Sequence, residues 1–281
     1  MSKYFNETIK ANDWALKNLP KDQMDVKEVL ESLKRQSQEE TKTEDGPFQD
    51  CRMVQVGNGA RLIVDHSNAS KAALEAYRQL RTRLVRLQVK KGLKSIAITS
   101  SIPGEGKSLT TMNLGLCYAH LPEERTLVID ADLRTGGLTS LLEKANGPGL
   151  ADVLAGKATL DEAIVSTNQK NLFVLPAGAV STSPLELFSG PAWQALLEQC
   201  GGMFKVILVD TPPMLPLVDF EVISAACEGV VVVVRAHYGR RETLKQTSSS
   251  LDPKRLLGVV FNAAEVHGSD YASYPNHYGN G

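Results

Sequence analysis

Residues 95–119 read SIAITSSIPGEGKSLTTMNLGLCYA, and this stretch decides the fold. Its opening, Ser95–Thr99, is a short run with an apolar interior and no strict alternation, the pattern of a strand covered on both faces. Directly after it comes a glycine-rich loop, Ser101–Ser108 (SIPGEGKS), and then an apolar helical pattern from Leu109 onward. Strand, glycine loop and helix in that order form a phosphate cradle. Gly104 and Gly106 let backbone N–H groups turn inward around phosphate oxygens. The following helix presents its positive N-terminal end to the same anion. Lys107 has the reach for β- and γ-phosphates, and the Ser108 hydroxyl is placed for Mg²⁺. The first glycine of GxxxxGK[ST] is Ser101 in this chain. A glycine-rich turn beside a surface lysine is the plainer account, but motif and context together favour a nucleotide cradle made of Ser101, Pro103, Gly104, Glu105, Gly106, Lys107, Ser108 and Leu109.

Working outward, further apolar runs recur between helical patterns: Thr126–Asp130, Leu172–Leu175, Val206–Asp210, Val230–Val234 and Gly258–Asn262. Lys71–Gln88 reads as a helix, introduced by the capping candidates Asn68 and Ser70. The alternation predicts a doubly wound, mostly parallel α/β sheet with its ligand beyond the carboxyl ends of the strands. Those ends carry acids. VIDADLR delivers Asp130 and Asp132, and VILVDTPP delivers Asp210. One strand-end aspartate often only caps the next helix. Two strands bringing carboxylates to the edge that holds the GKS loop are better explained as a Mg²⁺ site, Asp132 and Asp210 joining Ser108. Asp130 and Asp132 are also the candidates for accepting a proton from an attacking hydroxyl, and spacing leaves open which does so.

Composition excludes several classes. The chain has 281 residues and a net charge of −1, so no global field draws it to nucleic acid. The cysteines Cys51, Cys117, Cys200 and Cys227 form no CxxC pair, which points to reduced, structural thiols and no zinc site. No apolar run approaches the roughly 18–20 residues of a spanning helix, so no direct membrane insertion is expected. The N-terminus lacks a signal peptide's apolar core. Residues 1–66 read as an N-terminal extension and linker, mostly helical or flexible, with Val26, Leu30 and Leu33 on one helical face. Residues 67–266 form the α/β domain and residues 267–281 a flexible tail. That tail holds Tyr271, Tyr274 and Tyr278, three of the chain's seven tyrosines.

With SIPGEGKS, VIDADLR and VILVDTPP assembled, the chain resembles the bacterial tyrosine kinases (BY-kinases) of capsule and exopolysaccharide synthesis, in their stand-alone cytosolic form. GLADVLAG (Gly149–Gly156), LPAG and SPLELF add to the likeness. The resemblance implies a P-loop NTPase fold with a deviant Walker A loop, of the Min/Par kind, using ATP and Mg²⁺. It implies transfer of the γ-phosphoryl of ATP to tyrosine, with Lys107, Asp130 and Asp132 in the chemistry. Glu75-x-x-Arg78-x-x-Arg81 matches the family's ring-assembly motif, in which the arginines reach a neighbouring subunit and its phosphates. On residues alone, the same pattern is an exposed helix face with i,i+3 ion pairs. Tyr271, Tyr274 and Tyr278 become autophosphorylation sites used in trans, and Asn262 resembles the position near the adenine. A transmembrane activator of the polysaccharide co-polymerase type would recruit the cytoplasmic chain to the inner face of the plasma membrane.

Three other readings compete. A Min/Par-type ATPase switch shares the loop and sheet, but it carries an extra lysine where this chain has Ile102, and it lacks a tyrosine tail. A non-catalytic nucleotide-binding scaffold is free to lose Lys107, Ser108, Asp130, Asp132 and Asp210, all of which are present. A dinucleotide dehydrogenase requires GxGxxG, whereas this loop runs GEGKS.

Overall fold

The computed structural model describes residues 51–57, 62, 70–121, 124–143, 145–180, 183–215, 218–249 and 251–264. A nine-stranded sheet is its frame. In chain order the strands are β1 (Met53–Val56), β2 (Ser95–Ser100), β3 (Thr126–Asp130), β4 (Leu142–Glu143), β5 (Val165–Thr167), β6 (Leu172–Leu175), β7 (Val206–Asp210), β8 (Gly229–Arg235) and β9 (Leu256–Asn262). Their spatial order is β4-β1-β5-β6-β3-β7-β2-β8-β9. Pairing is parallel except for β1 with β4 and β5 with β6. The helices are α1 (Lys71–Lys91), α2 (Lys107–Ala119), α3 (Leu150–Leu154), α4 (Leu160–Ala163), α5 (Pro184–Ser189), α6 (Pro191–Met203), α7 (Asp219–Ala225) and α8 (Arg241–Ser249).

The apolar runs become strands for the reason their composition gives. Every residue of β2, β3 and β7 is buried, because helices cover both faces of the sheet centre. Register aligns Asp130 of β3 with Asp210 of β7, and Asp210 with Ile98 of β2. The carboxyl ends of β3 and β7 therefore finish at one level, and β2 runs two residues further to Ser100. Helix α2 is buried through Met112, Leu114, Leu116 and Tyr118, as expected of a helix apolar on most sides. Truncating such a core side chain to alanine costs about 2–5 kcal/mol. Trp193 anchors α6, its indole N–H donating to Ile223 O at 3.0 Å while Phe188 meets it edge-on. Cys117, Cys200 and Cys227 are free and buried, and burial pushes the Cys200 and Cys227 thiols up to about 12.

Two expectations need adjustment. Helix α1 runs three residues past Gln88 and ends at Gly92, whose left-handed φ of 69° lets its N–H cap Gln88 O. Met53–Val56 falls inside the stretch read as extension, yet it pairs with β5 and buries Val54 and Val56. Four residues of alternation are too few to stand out as a strand in the sequence. Residues 1–50, including the helical face of Val26, Leu30 and Leu33, lie outside the described residues. Among the described residues no helix is long and apolar enough to cross a membrane.

Candidate active site

The loop after β2 is held open by hydrogen bonds from behind. Thr99 Oγ1 donates to Pro212 O at 2.9 Å, and Met214 N donates to Ser100 O at 2.8 Å, so the chain after β7 braces the end of β2. Gly104 and Gly106 take φ values of 83° and 91°, a region open to glycine and costly for other residues. A Cβ on Gly104 would stand 2.6 Å from the Tyr238 hydroxyl, and one on Gly106 would collide with Asn262 Nδ2. The Glu105 side chain turns back to accept the Ile102 N–H at 3.0 Å, while Asn262 Nδ2 donates to Glu105 O at 2.9 Å. Helix α2 then starts at Lys107 with no side-chain cap, leaving its first N–H groups available to an anion.

One ammonium faces three carboxylates at this helix head. Lys107 Nζ lies 2.7 Å from Asp132 Oδ2 and 3.6 Å from Asp210 Oδ2, and it also donates to Ser108 Oγ at 3.3 Å. Burial pulls the lysine pKa down, but Asp210 and then Asp132 outweigh it, and the net direction is upward. Burial pushes the Asp210 carboxyl up to about 7 against the opposing pull of Lys107. Asp130 is likewise raised by burial, its hydrogen bonds from Thr139 opposing. Asp130 Oδ1 and Asp210 Oδ2 are buried with no hydrogen-bond partner among the described residues. Asp210 Oδ2 keeps the Lys107 ammonium at 3.6 Å, but burying a carboxylate oxygen such as Asp130 Oδ1 without a hydrogen bond is costly, so the site is suited to a further cation or proton donor.

Thr139 escaped the sequence reading because a lone threonine nine residues past Asp130 carries no local signal. It opens the 3₁₀ turn Thr139–Leu141, and both its N–H (2.7 Å) and its hydroxyl (2.6 Å) donate to Asp130 Oδ2. Beside it lies a cavity of about 470 Å³, lined in part by Arg134, Gly136, Asn146, Ala177 and Gly178. The GLADV and LPAG segments cross at its wall. There the Leu150 N–H donates to Pro176 O at 2.7 Å, and Gly149 packs so tightly on Gly178 that a Cβ would meet backbone. Arg134, from VIDADLR, forms a two-pronged ion pair with buried Asp219 at the start of α7, at 2.6 and 3.3 Å. Eighty-five residues separate those partners, a distance no sequence pattern bridges.

The structure gathers Lys107, Ser108, Asp130, Asp132 and Asp210 at one place, with the loop residues Ser101, Pro103, Gly104, Glu105, Gly106 and Leu109 around or beneath them. Ser101 points away from the cradle, its hydroxyl buried 2.9 Å from Thr247 Oγ1. Asn262 sits behind the loop on Glu105 O. Within this chain Arg78 and Arg81 stay apart from the site. Arg81 Nη1 donates to Cys117 O at 2.8 Å, ten residues along α2 from Lys107, about 15 Å at the helical rise. Arg78 pairs with Glu75 at 3.8 Å on an exposed face. Tyr271, Tyr274 and Tyr278 lie outside the described residues.

A cradle of this build defines a P-loop nucleotide-binding protein, and a family model described as an AAA domain matches residues 93–252. Known proteins narrow the class. The chain is 32% identical over 203 residues to the tyrosine-protein kinase YwqD of Bacillus subtilis (strain 168), covering 71% of this chain and 85% of that one. It is 34% identical over 188 residues to the tyrosine-protein kinase CpsD of Streptococcus agalactiae, covering 66% and 81%. Among solved structures, the kinase domain of the Escherichia coli tyrosine kinase ETK superposes with a TM-score of 0.65 at 28% identity, covering 74% of this chain and 82% of that one. The chain belongs to the bacterial tyrosine-protein kinase family.

Proposed function

We propose that this chain is an ATP- and Mg²⁺-dependent protein-tyrosine kinase that phosphorylates the tyrosines of its own tail. The observation that carries the reading is the Lys107 ammonium held between Asp132 and Asp210, with Asp130 alongside, at the uncapped head of α2. Were Asp130, Asp132 and Asp210 all ionised, one ammonium would leave two charges uncompensated, and burial resists that state by raising Asp210 and Asp130. The donors near them are all oxygens, which suits magnesium. Among the described residues no three His, Cys, Asp or Glu side chains form a ready metal cage. Ser108, Asp132 and Asp210 would hold Mg²⁺ with help from water and phosphate, this ion's usual habit. When bound, the metal neutralises charge on the phosphates.

The chain's own groups supply the rest. Loop and helix N–H groups orient the phosphates. Lys107 exchanges its carboxylate partners for phosphate oxygens and stabilises the charge that builds during transfer. The phenolic oxygen of the acceptor bonds to the γ-phosphorus, the bond from that phosphorus to the departing ADP breaks, and the phenolic proton passes to a carboxylate. Asp130 fits that last role better than Asp132, whose Oδ2 is held by Lys107, because Asp130 Oδ1 has no hydrogen-bond partner among the described residues.

Tyr271, Tyr274 and Tyr278 are the acceptors we assign, reached in trans within a ring built through Glu75, Arg78 and Arg81. Arg81 bonds to Cys117 O, ten residues and about 15 Å of helical rise along α2 from Lys107, which supports a role for this arginine at another copy's phosphates. A transmembrane activator of the polysaccharide co-polymerase type would bring the cytoplasmic chain to the membrane, where phosphorylation tunes capsule or exopolysaccharide synthesis and export. In domain terms, residues 1–66 are an extension to the kinase domain, apart from the strand Met53–Val56, and residues 267–281 the substrate tail.

The test is incubation with ATP and Mg²⁺, fused to a cytoplasmic activator segment where one is found, with intact mass and peptide mapping. Phosphate is expected on the tail of the parent and absent from Lys107→Met and from the triple Tyr271/Tyr274/Tyr278→Phe variant. Loss of Lys107 is expected to slow transfer on the order of 10²–10³-fold. Conversion of ATP to ADP with no phosphotyrosine, activator present, would replace the kinase reading with a nucleotide switch.

A further inference from the structure

Asp130 is held by a relay that lies wholly outside the phosphate loop. Ala177 N–H donates to Thr139 Oγ1 at 2.9 Å, and Thr139 Oγ1 donates to Asp130 Oδ2 at 2.6 Å. A hydroxyl that accepts an N–H has one proton left to give, so its rotor is fixed toward the carboxylate. The Thr139 N–H reaches the same oxygen at 2.7 Å. Oδ2 is thereby fully engaged, and Oδ1 is left as the carboxylate's one unpartnered oxygen among the described residues. The relay spans two neighbouring strands, since Asp130 ends β3 and Ala177 lies two residues past β6, which pairs with β3 in parallel. Thr139 and Ala177 both line the 470 Å³ cavity.

We infer that Thr139 is a positioning residue for phosphoryl transfer: its hydroxyl, steered by the Ala177 amide, fixes the rotation of the Asp130 carboxylate so that Oδ1 faces the reacting hydroxyl. In this assignment Thr139 acts through the Asp130 carboxylate alone. The inference rests on the kinase reading for its chemistry and on the two hydrogen bonds for its geometry. A carboxylate free to rotate would present Oδ1 in only part of its population. Misplacing a reacting group by about 1 Å costs on the order of 100-fold in rate.

The experiment compares Thr139→Val, which keeps the shape and loses the donor, with Thr139→Ser, which keeps the hydroxyl. Phosphotyrosine formation and ATP turnover are measured separately in the full chain with Mg²⁺ and ATP, fused to the same activator segment as in the test above, and melting curves confirm that each variant is folded. T139V is expected to lower kcat about ten- to a hundredfold and to leave KM for ATP within about twofold, while T139S stays within about threefold of the parent. In an Asp130→Asn background the valine should add no further loss, because Thr139 acts only through that carboxylate. A parental kcat in T139V, an equal drop in T139S, or a loss that persists undiminished in the D130N background would overturn the assignment. Should T139V fail to fold, Thr139→Cys, a poor donor of similar size, takes its place under the same criteria. A parent that hydrolyses ATP without forming phosphotyrosine overturns the kinase reading alone, and Thr139 is then judged on hydrolysis. A parent inert by both routes overturns both.

Discussion

The two ends of helix α2 face opposite fates. Its head begins at Lys107 without a side-chain cap, in front of Asp132 and Asp210, and its N–H groups point into a cradle. Its tail is closed by its own chain: Arg81 donates to Cys117 O, and the Tyr118 hydroxyl donates to Gln88 Oε1 at 2.7 Å. The helix dipole favours anions at the head and cations at the tail, and Arg81 meets the second preference. Only the tail is satisfied internally. An α-helix left unfinished at one end and finished at the other is a rigid mount for a ligand, and α1 is the element that steadies it.

Breaking the head should have the largest effect. Gly106→Ala forces a residue with a side chain into φ 91° and drives a methyl group into Asn262. Strain of about 1–3 kcal/mol at such a position translates into roughly a ten- to hundredfold loss of ATP affinity. Isothermal titration would read it. Adding Asn262→Ala should restore only part, because the clash is relieved and the backbone strain is not. Full restoration would mean that sterics, and not the left-handed loop, set the requirement.

The head is also where pH should act. Burial raises the folded Asp210 pKa to about 7, above the ordinary value near 4 in the unfolded chain. Between those values the native state binds more protons than the unfolded state, so stability contributed by this group falls as pH rises from about 4 through about 7. Urea midpoints of nucleotide-free parent should therefore drop from about pH 5 to about pH 8 by more than those of Asp210→Asn. Parallel profiles for the two proteins would mean that Asp210 is ionised throughout.

Disturbing the tail should matter least. Arg81→Ala removes one charge-assisted hydrogen bond, worth about 1 kcal/mol at a half-buried site, and should lower Tm by about 2–4 °C. ATP affinity of the single chain should remain within about twofold. A tenfold change would show that the two ends of α2 are coupled, and the contrast between them would have to be given up.

How much of this could be read from residues alone follows burial. Ser95–Ser100, Thr126–Asp130 and Val206–Asp210 were legible because both faces of each are covered, which leaves an uninterrupted apolar run ending in chemistry. Met53–Val56, Leu142–Glu143 and Val165–Thr167 were not, since two to four residues interrupted by polar ones establish neither a period nor an apolar run, whereas Leu172–Leu175, no longer, is apolar throughout. Lys107, Ser108, Asp130, Asp132 and Asp210 announced themselves through a loop motif and strand ends. Thr139 and the Arg134–Asp219 pair did not, because their meaning depends on partners that only the fold brings near. Arg81 shows the converse case: its motif was visible, while the bond it makes inside its own chain was not.

Register sets Asp130 and Asp210 directly across from each other on adjacent buried strands. Like charges so placed weaken a fold, and replacing either with a neutral residue of similar shape would relieve it. The loss of stability incurred by keeping both is a standing evolutionary load, carried by the sheet centre and set against use of the site. A lineage released from that use has a short mutational path to a sturdier protein, and its first step erases the chemistry.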